Sequence, residues 1–132
     1  MIFEQTIPTF KEYNELRAAV GWHLTEKSST TIALNKSLFS IVVTSNGKII
    51  GMGRIIGDGL YYYIQDLIVH PEYQHKHLAT EIMNKLMDYI QTTANKGAFI
   101  GLMATPGLED FYNEFGFTTN HEGGVGMSMF IL

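Results

Sequence analysis

Cysteine is absent from the 132-residue chain, which excludes disulfides, a thiolate metal site and a cysteinyl acyl-enzyme. Any acyl transfer therefore uses another nucleophile or proceeds directly. Basic residues are scarce: 9 Lys+Arg against 13 Asp+Glu give a formal net charge of −4, whereas a general nucleic-acid binder normally presents a basic surface. A cationic amine is attracted to such a surface, although a charge this small selects no particular one. No apolar run approaches the length that spans a bilayer, and the first residues carry no charged segment followed by an apolar one. The expectation is a cytoplasmic protein with no nucleic-acid or membrane partner. Low-complexity tracts, repeats and interdomain linkers are also missing, and 45% hydrophobic with 17% charged residues is the composition of a folded domain. One domain over residues 1–132 is expected, large enough to bury a core without staples. Among the histidines, His75 and His77 are two apart and fall on opposite sides of an extended segment, while His23, His70 and His121 have no ligand spacing around them. No metal is expected.

What is present reads in order as follows. Residues 1–7 alternate as a first strand, closed by Pro8, and Thr9 can cap a helix in which Phe10, Tyr13, Leu16, Arg17 and Val20 fall at helical spacing, with Gly21 as its stop. An irregular stretch that includes His23 and Glu26 leads to a short helix at 30–36. Residues 38–44 are apolar and β-branched, Asn46-Gly47 is a strong hairpin signal, and the strand pattern resumes at 48–56. After a turn at Gly57, Asp58 and Gly59, residues 61–69 complete a three-strand meander. A long helix follows, its stripe of Leu78, Ile82, Leu86 and Ile90 widened by Ala79, Met83 and Met87. Residues 98–103 form a buried strand, parallel to its predecessor if the helix is a crossover. A short helix at 107–115 and a last strand at 126–132 end the chain, and the edge of that strand could pair across a homodimer.

The stretch from Tyr61 to Ile90 organises the rest. A strand that feeds a helix through a compact turn presents unpaired backbone N–H groups and the positive end of the helix dipole, which is a seat for phosphate. The turn and helix start, Gln74 to Ala79 (QHKHLA), resemble the pyrophosphate loop Q/R-x-x-G-x-G/A of the GNAT superfamily of N-acetyltransferases, with His77 where the family normally has glycine. The lead-in Val69, His70, Pro71, Glu72, Tyr73 and the later run FYNEFGF from Phe111 to Phe117 resemble the same superfamily. The resemblance implies an α/β (α+β) fold, a GNAT-like mixed sheet of 6–7 strands flanked by about four helices. It also implies acetyl-CoA as co-substrate and an amine as acceptor.

Acyl transfer from CoA needs a pyrophosphate seat, a polarised thioester carbonyl, a base for the amine and an acid for the thiolate. The resemblance puts the seat at Gln74, His75, Lys76, His77, Leu78, Ala79 and Thr80, mostly through main-chain N–H groups, with the Lys76 and Thr80 side chains as additions. A Cβ and imidazole at His77 either crowd the ligand or, when charged, bond to it. The strand before the loop lends main-chain groups of Leu67, Ile68 and Val69 to the pantetheine arm and the thioester carbonyl, a contact typically worth about 3 kcal/mol of barrier. Tyr112 is the general acid by resemblance, since a phenol near pKa 10 can protonate a thiolate whose conjugate acid lies near 8.5; the alternative is an aromatic core cluster with Phe111, Phe115 and Phe117. Asn113 either contacts the CoA arm or is a solvated helix residue. Asp66 is the best carboxylate to accept the amine proton, or else a structural hydrogen-bond acceptor. Glu26 and His23 lie where this superfamily often builds its acceptor pocket, or else are surface residues, and Arg54 either holds an acceptor's carboxylate or forms a rim salt bridge.

Two functions of different class follow. The first is direct transfer of acetyl from acetyl-CoA to a primary amine; the second is a non-catalytic acyl-CoA-binding regulatory module, for which His77 would mark a degenerate loop. A nucleotide-binding protein is disfavoured because neither the Walker nor the Rossmann glycine pattern occurs. No feature selects the acceptor.

Overall fold

The computed structural model describes residues 1–75, 77–119 and 126–131. Lys76, His121 and Leu132, which carry expectations from the sequence, lie outside the described residues. The chain runs β1 (Ile2–Gln5), α1 (Phe10–Ala19), α2 (Lys27–Asn35), β2 (Phe39–Ser45), β3 (Lys48–Gly57), β4 (Tyr61–Val69), a 3-10 turn (Pro71–Tyr73), α3 (Leu78–Thr93), β5 (Phe99–Met103), α4 (Glu109–Asn113), β6 (Thr118–Thr119) and β7 (Gly126–Phe130). The strands form one mixed sheet of seven in the order β1-β2-β3-β4-β5-β7-β6. All neighbours are antiparallel except β4 and β5, which the α3 crossover makes parallel.

Local chemistry accounts for most of these elements. Thr9 and Glu12 close a capping box on α1: the Glu12 N–H donates to Thr9 Oγ1 at 3.1 Å and the Thr9 N–H to Glu12 Oε1 at 2.9 Å. Asn46 and Gly47 take φ of 52° and 76°, the paired positive values that a two-residue hairpin turn requires. The apolar stripe of α3 is buried as the periodicity predicts, at Leu78, Ile82, Met83, Leu86, Met87 and Ile90. Each such side chain contributes about 2 kcal/mol by leaving water.

Helices cover both faces of the sheet. Tyr13, Leu16 and Leu34 from α1 and α2 pack on Val42, Ile49, Met52 and Ile68. On the other face Ile82, Leu86 and Ile90 of α3 and Tyr112 of α4 join Ile55, Ile64, Ile100 and Phe117. Gly53 of β3 lies under α3, where an added Cβ would meet Ile82 Cγ2 at 2.7 Å and Leu86 Cδ1 at 3.0 Å. Its bare Cα lets the helix lie close to the sheet.

Several boundaries depart from the sequence expectation. The second helix starts at Lys27 rather than residue 30, because Glu26 caps it by accepting from the N–H groups of Ser28 at 2.9 Å and Ser29 at 2.7 Å. The first strand ends at Gln5 and the last helix spans only Glu109–Asn113. The edge expected on the final strand is partly covered: β6, which no pattern announced, pairs Thr118 with Ser128 and Thr119 with Met127. Among the described residues no helix is long and apolar enough to cross a membrane.

Candidate active site

The sheet opens between β4 and β5. Their pairing runs Tyr61↔Phe99, Tyr62↔Ile100 and Tyr63↔Gly101 and stops, although β4 continues to Val69 and β5 to Met103. Opposite this opening β4 carries a bulge. Arg54 of β3 pairs with Gln65 and Met52 with Ile68, so that Gly53 is matched by both Asp66 and Leu67. Asp66 adopts φ 56°, left-handed backbone in the middle of a strand.

The bulge decides which groups face the opening. Before it, the Phe99 N–H donates to the Leu60 carbonyl at 2.9 Å, so the alternation turns the main chain of Tyr62 and Ile64 toward β5. After it, the His70 N–H donates to Ile50 of β3 at 2.8 Å. Ile68, in step with His70, therefore faces β3, and Leu67 and Val69 turn their main-chain groups to the open side. Of the three residues expected to lend backbone to a ligand, Ile68 is the one already used by the sheet. The Val69 carbonyl accepts from Gln74 Nε2 at 3.0 Å, so this side chain is turned back on the strand.

Beyond the opening lies a cavity of about 430 Å³ lined by Val69, Tyr73, Gln74, His75, His77, Leu78, Ala79, Thr80, Leu108 and Phe111. It gathers every described member of the predicted phosphate loop. The N–H groups of Leu78, Ala79 and Thr80 open α3 and have no partner within the helix. His77 caps the helix at φ 60° and ψ 15° with no side-chain bond, and His75 has φ 66°. Both histidines thus take the backbone region in which glycine is at ease.

Tyr112 is 7% exposed, and burial pushes its phenol up to about 12. It stands edge-on to Phe111, ring centroids 5.0 Å apart, and it is Phe111 that lines the cavity. Asn113 is exposed on α4.

Asp66 does not face the cavity. It is 3% exposed, and its Oδ2 accepts from Arg54 Nε at 2.8 Å and from the Tyr13 hydroxyl at 2.9 Å. Arg17 Nη1 lies 3.7 Å from Oδ1, which has no hydrogen-bond partner among the described residues. Burial first, and then the Asp66 carboxylate, push the Tyr13 phenol above its ordinary range. Arg54 is itself 9% exposed and pairs inward with Asp66 rather than at the rim. It also borders a hollow of about 270 Å³ with Tyr13, Thr25, Glu26, Ser29 and Thr30. The Glu26 carboxylate is spent as a helix cap and the His23 carbonyl accepts from Arg17 Nε at 2.8 Å.

Sequence reasoning missed Tyr13 and Arg17 as site residues. The available signal was a charged residue, four positions after a tyrosine, on the apolar stripe of α1. Among the described residues no group of three or more metal-ligating side chains comes together.

The chain matches the family model for the acetyltransferase (GNAT) domain over residues 9–126. It is 28% identical to the uncharacterized N-acetyltransferase ycf52 of the alga Porphyra purpurea, over 88% of this chain and 68% of that one. A "Probable Acetyltransferase" of unknown function from meticillin-resistant Staphylococcus aureus superposes with a TM-score of 0.86 at 29% identity, covering 92% of each chain. A Brucella melitensis GNAT acetyltransferase in complex with acetyl-CoA has the same fold at 13% identity, with a TM-score of 0.69 over 99% of this chain and 88% of that one. A mixed sheet opened between its two parallel strands, a cavity at the start of the crossover helix and the match over most of the chain lead to one assignment: the protein is an acyltransferase of the GNAT acetyltransferase family.

Proposed function

We propose that the protein transfers the acetyl group of acetyl-CoA directly to a primary amine of a small molecule or peptide. The observation that carries this is the cavity of about 430 Å³ in which the start of α3, the turn before it and Val69 of β4 meet. Its helix-start N–H groups suit the pyrophosphate, and the adjoining opening between β4 and β5 suits an extended pantetheine arm that borrows strand-type hydrogen bonds from Leu67 and Val69. The acetyl-CoA held by the Brucella melitensis relative supports the same ligand here.

In the proposed reaction the amine nitrogen attacks the thioester carbon. The C–N bond forms, the C–S bond breaks, and the sulfur leaves as a thiolate that takes a proton from Tyr112. A phenol near pKa 12 keeps its proton throughout the physiological range, so the donor form is always present. An N–H from the open side of β4 polarises the carbonyl oxygen. The proton released by the amine passes to water in the cleft, because Asp66 is 3% exposed and does not line the cavity.

The reading as a non-catalytic module depended on His77. At φ 60° its backbone already adopts the conformation glycine would supply, which supports a functioning loop. A cytoplasmic location and a protein that needs no metal belong to the proposal as well. The test is thiol release from acetyl-CoA across a panel of amino acids, polyamines, peptides and aminoglycosides, for wild type and Tyr112→Phe. Turnover on some amine that collapses in the variant is the expected result. Acetyl-CoA binding with no turnover on any amine would instead establish the binding module.

A further inference from the structure

From the packing around the β4 bulge we infer that Arg54, Asp66 and Tyr13 form a clamp that holds Asp66 in the left-handed conformation and thereby aims the Leu67 N–H into the opening between β4 and β5. Asp66 is then a positioning residue for thioester polarisation. The inference rests on the acetyl-CoA reading of that opening.

Three observations carry it. First, the direction in which Leu67 faces depends on the bulge alone. Ahead of the bulge the even-numbered residues Tyr62 and Ile64 turn their main chain toward β5, and if that alternation ran on unbroken Leu67 would face β3. Relaxation of Asp66 to ordinary extended backbone would therefore withdraw the donor from the cleft. Second, Asp66 is not a glycine, so a φ of 56° in the middle of a strand is uncommon for it and is held by the groups around it. The imposing groups come from different parts of the fold. Tyr13 reaches from α1 at 2.9 Å and Arg54 from β3 at 2.8 Å. Arg54 is tied in turn to the end of α2 by Nη1 donating to Ser37 Oγ at 3.2 Å. Third, stability gives no reason for charges here, because buried ion pairs are often replaced by apolar residues of similar volume without loss. A fixed, unusual backbone angle does give a reason.

The test uses acetyl-CoA labelled with carbon-13 at the carbonyl, bound to the intact protein and followed by isotope-edited infrared spectroscopy, which needs no knowledge of the acceptor. In the wild type the thioester stretch should fall in frequency on binding. Asp66→Asn and Arg54→Lys should bind acetyl-CoA within about threefold of wild type, lose most of that shift, and lower kcat about 10- to 100-fold with KM little changed, whereas Asp66→Gly, which adopts this φ unaided, should keep more of the shift than Asp66→Asn. Tyr13→Phe removes one donor and keeps the ion pair, so it should lose part of the shift; it also serves if the Asp66 variants do not fold. An unchanged shift in folded Asp66→Asn and Arg54→Lys would overturn the clamp. So would a shift in Asp66→Gly no larger than in Asp66→Asn, because glycine adopts this φ unaided and should keep the donor aimed at the cleft. Loss of the acidic limb of the kcat/KM profile in Asp66→Asn with the shift intact would make Asp66 the base, and would also overturn it. Failure of the wild type to bind acetyl-CoA would refute the proposed function instead, a result distinct from all of these.

Discussion

Gln74 donates its side-chain amide to the main-chain carbonyl of Val69 at 3.0 Å. The bond ties the first residue of the phosphate-type turn to the last residue of β4, so the turn and the strand edge are positioned as one unit. A motif glutamine is easily read as a phosphate contact; here its side chain shapes the loop instead. Gln74→Ala should leave stability within about 1 kcal/mol of wild type and weaken acetyl-CoA binding about 5- to 10-fold through a loosened turn. Isothermal calorimetry with acetyl-CoA checks this, and an unchanged affinity would show that the turn holds its shape without the bond.

Tyr112→Phe separates the chemistry from the core. The phenol is raised by burial alone, with no side-chain hydrogen bond contributing, so its removal should cost little stability near neutral pH while kcat falls by about 100-fold. Stability should then diverge in base. A folded-state value of about 12 against 10.0 for the ordinary phenol means that the neutral form is favoured in the native protein. That contribution is complete below pH 10 and is lost as pH rises through about 12, and two units correspond to at most about 2–3 kcal/mol. Urea midpoints of the wild type should drop between about pH 8 and pH 11 by more than those of Tyr112→Phe. Equal drops would place the tyrosine in a wetter setting than its 7% exposure indicates.

His77→Gly should stabilise the fold by about 0.5–1 kcal/mol. A left-handed residue with a Cβ carries strain that glycine relieves, partly offset by the larger freedom glycine has in the unfolded chain. Thermal melts at constant pH measure it. If the melting temperature fell instead, the imidazole would be making a compensating contact.

Gly53→Ala should be costly in a way its sequence context does not announce. The new Cβ would stand 2.7 Å from Ile82 Cγ2 and 3.0 Å from Leu86 Cδ1, in a part of the core where both side chains are fully buried. The expected loss is about 1–3 kcal/mol. Because α3 carries the phosphate-type turn at its start, acetyl-CoA affinity should fall as well. Denaturant unfolding paired with ligand titration reads both.

The features the sequence disclosed are those fixed by short-range rules. The α3 stripe, the Thr9 cap and the Asn46-Gly47 turn each depend on residues a few positions apart, and each is found where the pattern puts it. The turn between β4 and α3 was legible for the same reason. The bulge was not, since a positive φ at an aspartate is imposed by a tyrosine 53 positions and an arginine 12 positions away. The start of α2 escaped because glutamate is an uncommon N-cap. The strand β6 has only two residues and no alternation to betray it.

The parting of β4 from β5 leaves the sheet with an edge in its interior. Among the described residues β4 and β5 share no ladder pairs past Tyr63 and Gly101, so β1 to β4 and the β5-β7-β6 group meet over a three-pair seam and through the α3 core. An extended ligand bonded to that edge would act as a removable extra strand. Occupancy would then stiffen the whole molecule, and amides of β5 and β7 should exchange with solvent more slowly when acetyl-CoA is bound, although neither strand contributes to the lining of the cavity at the start of α3.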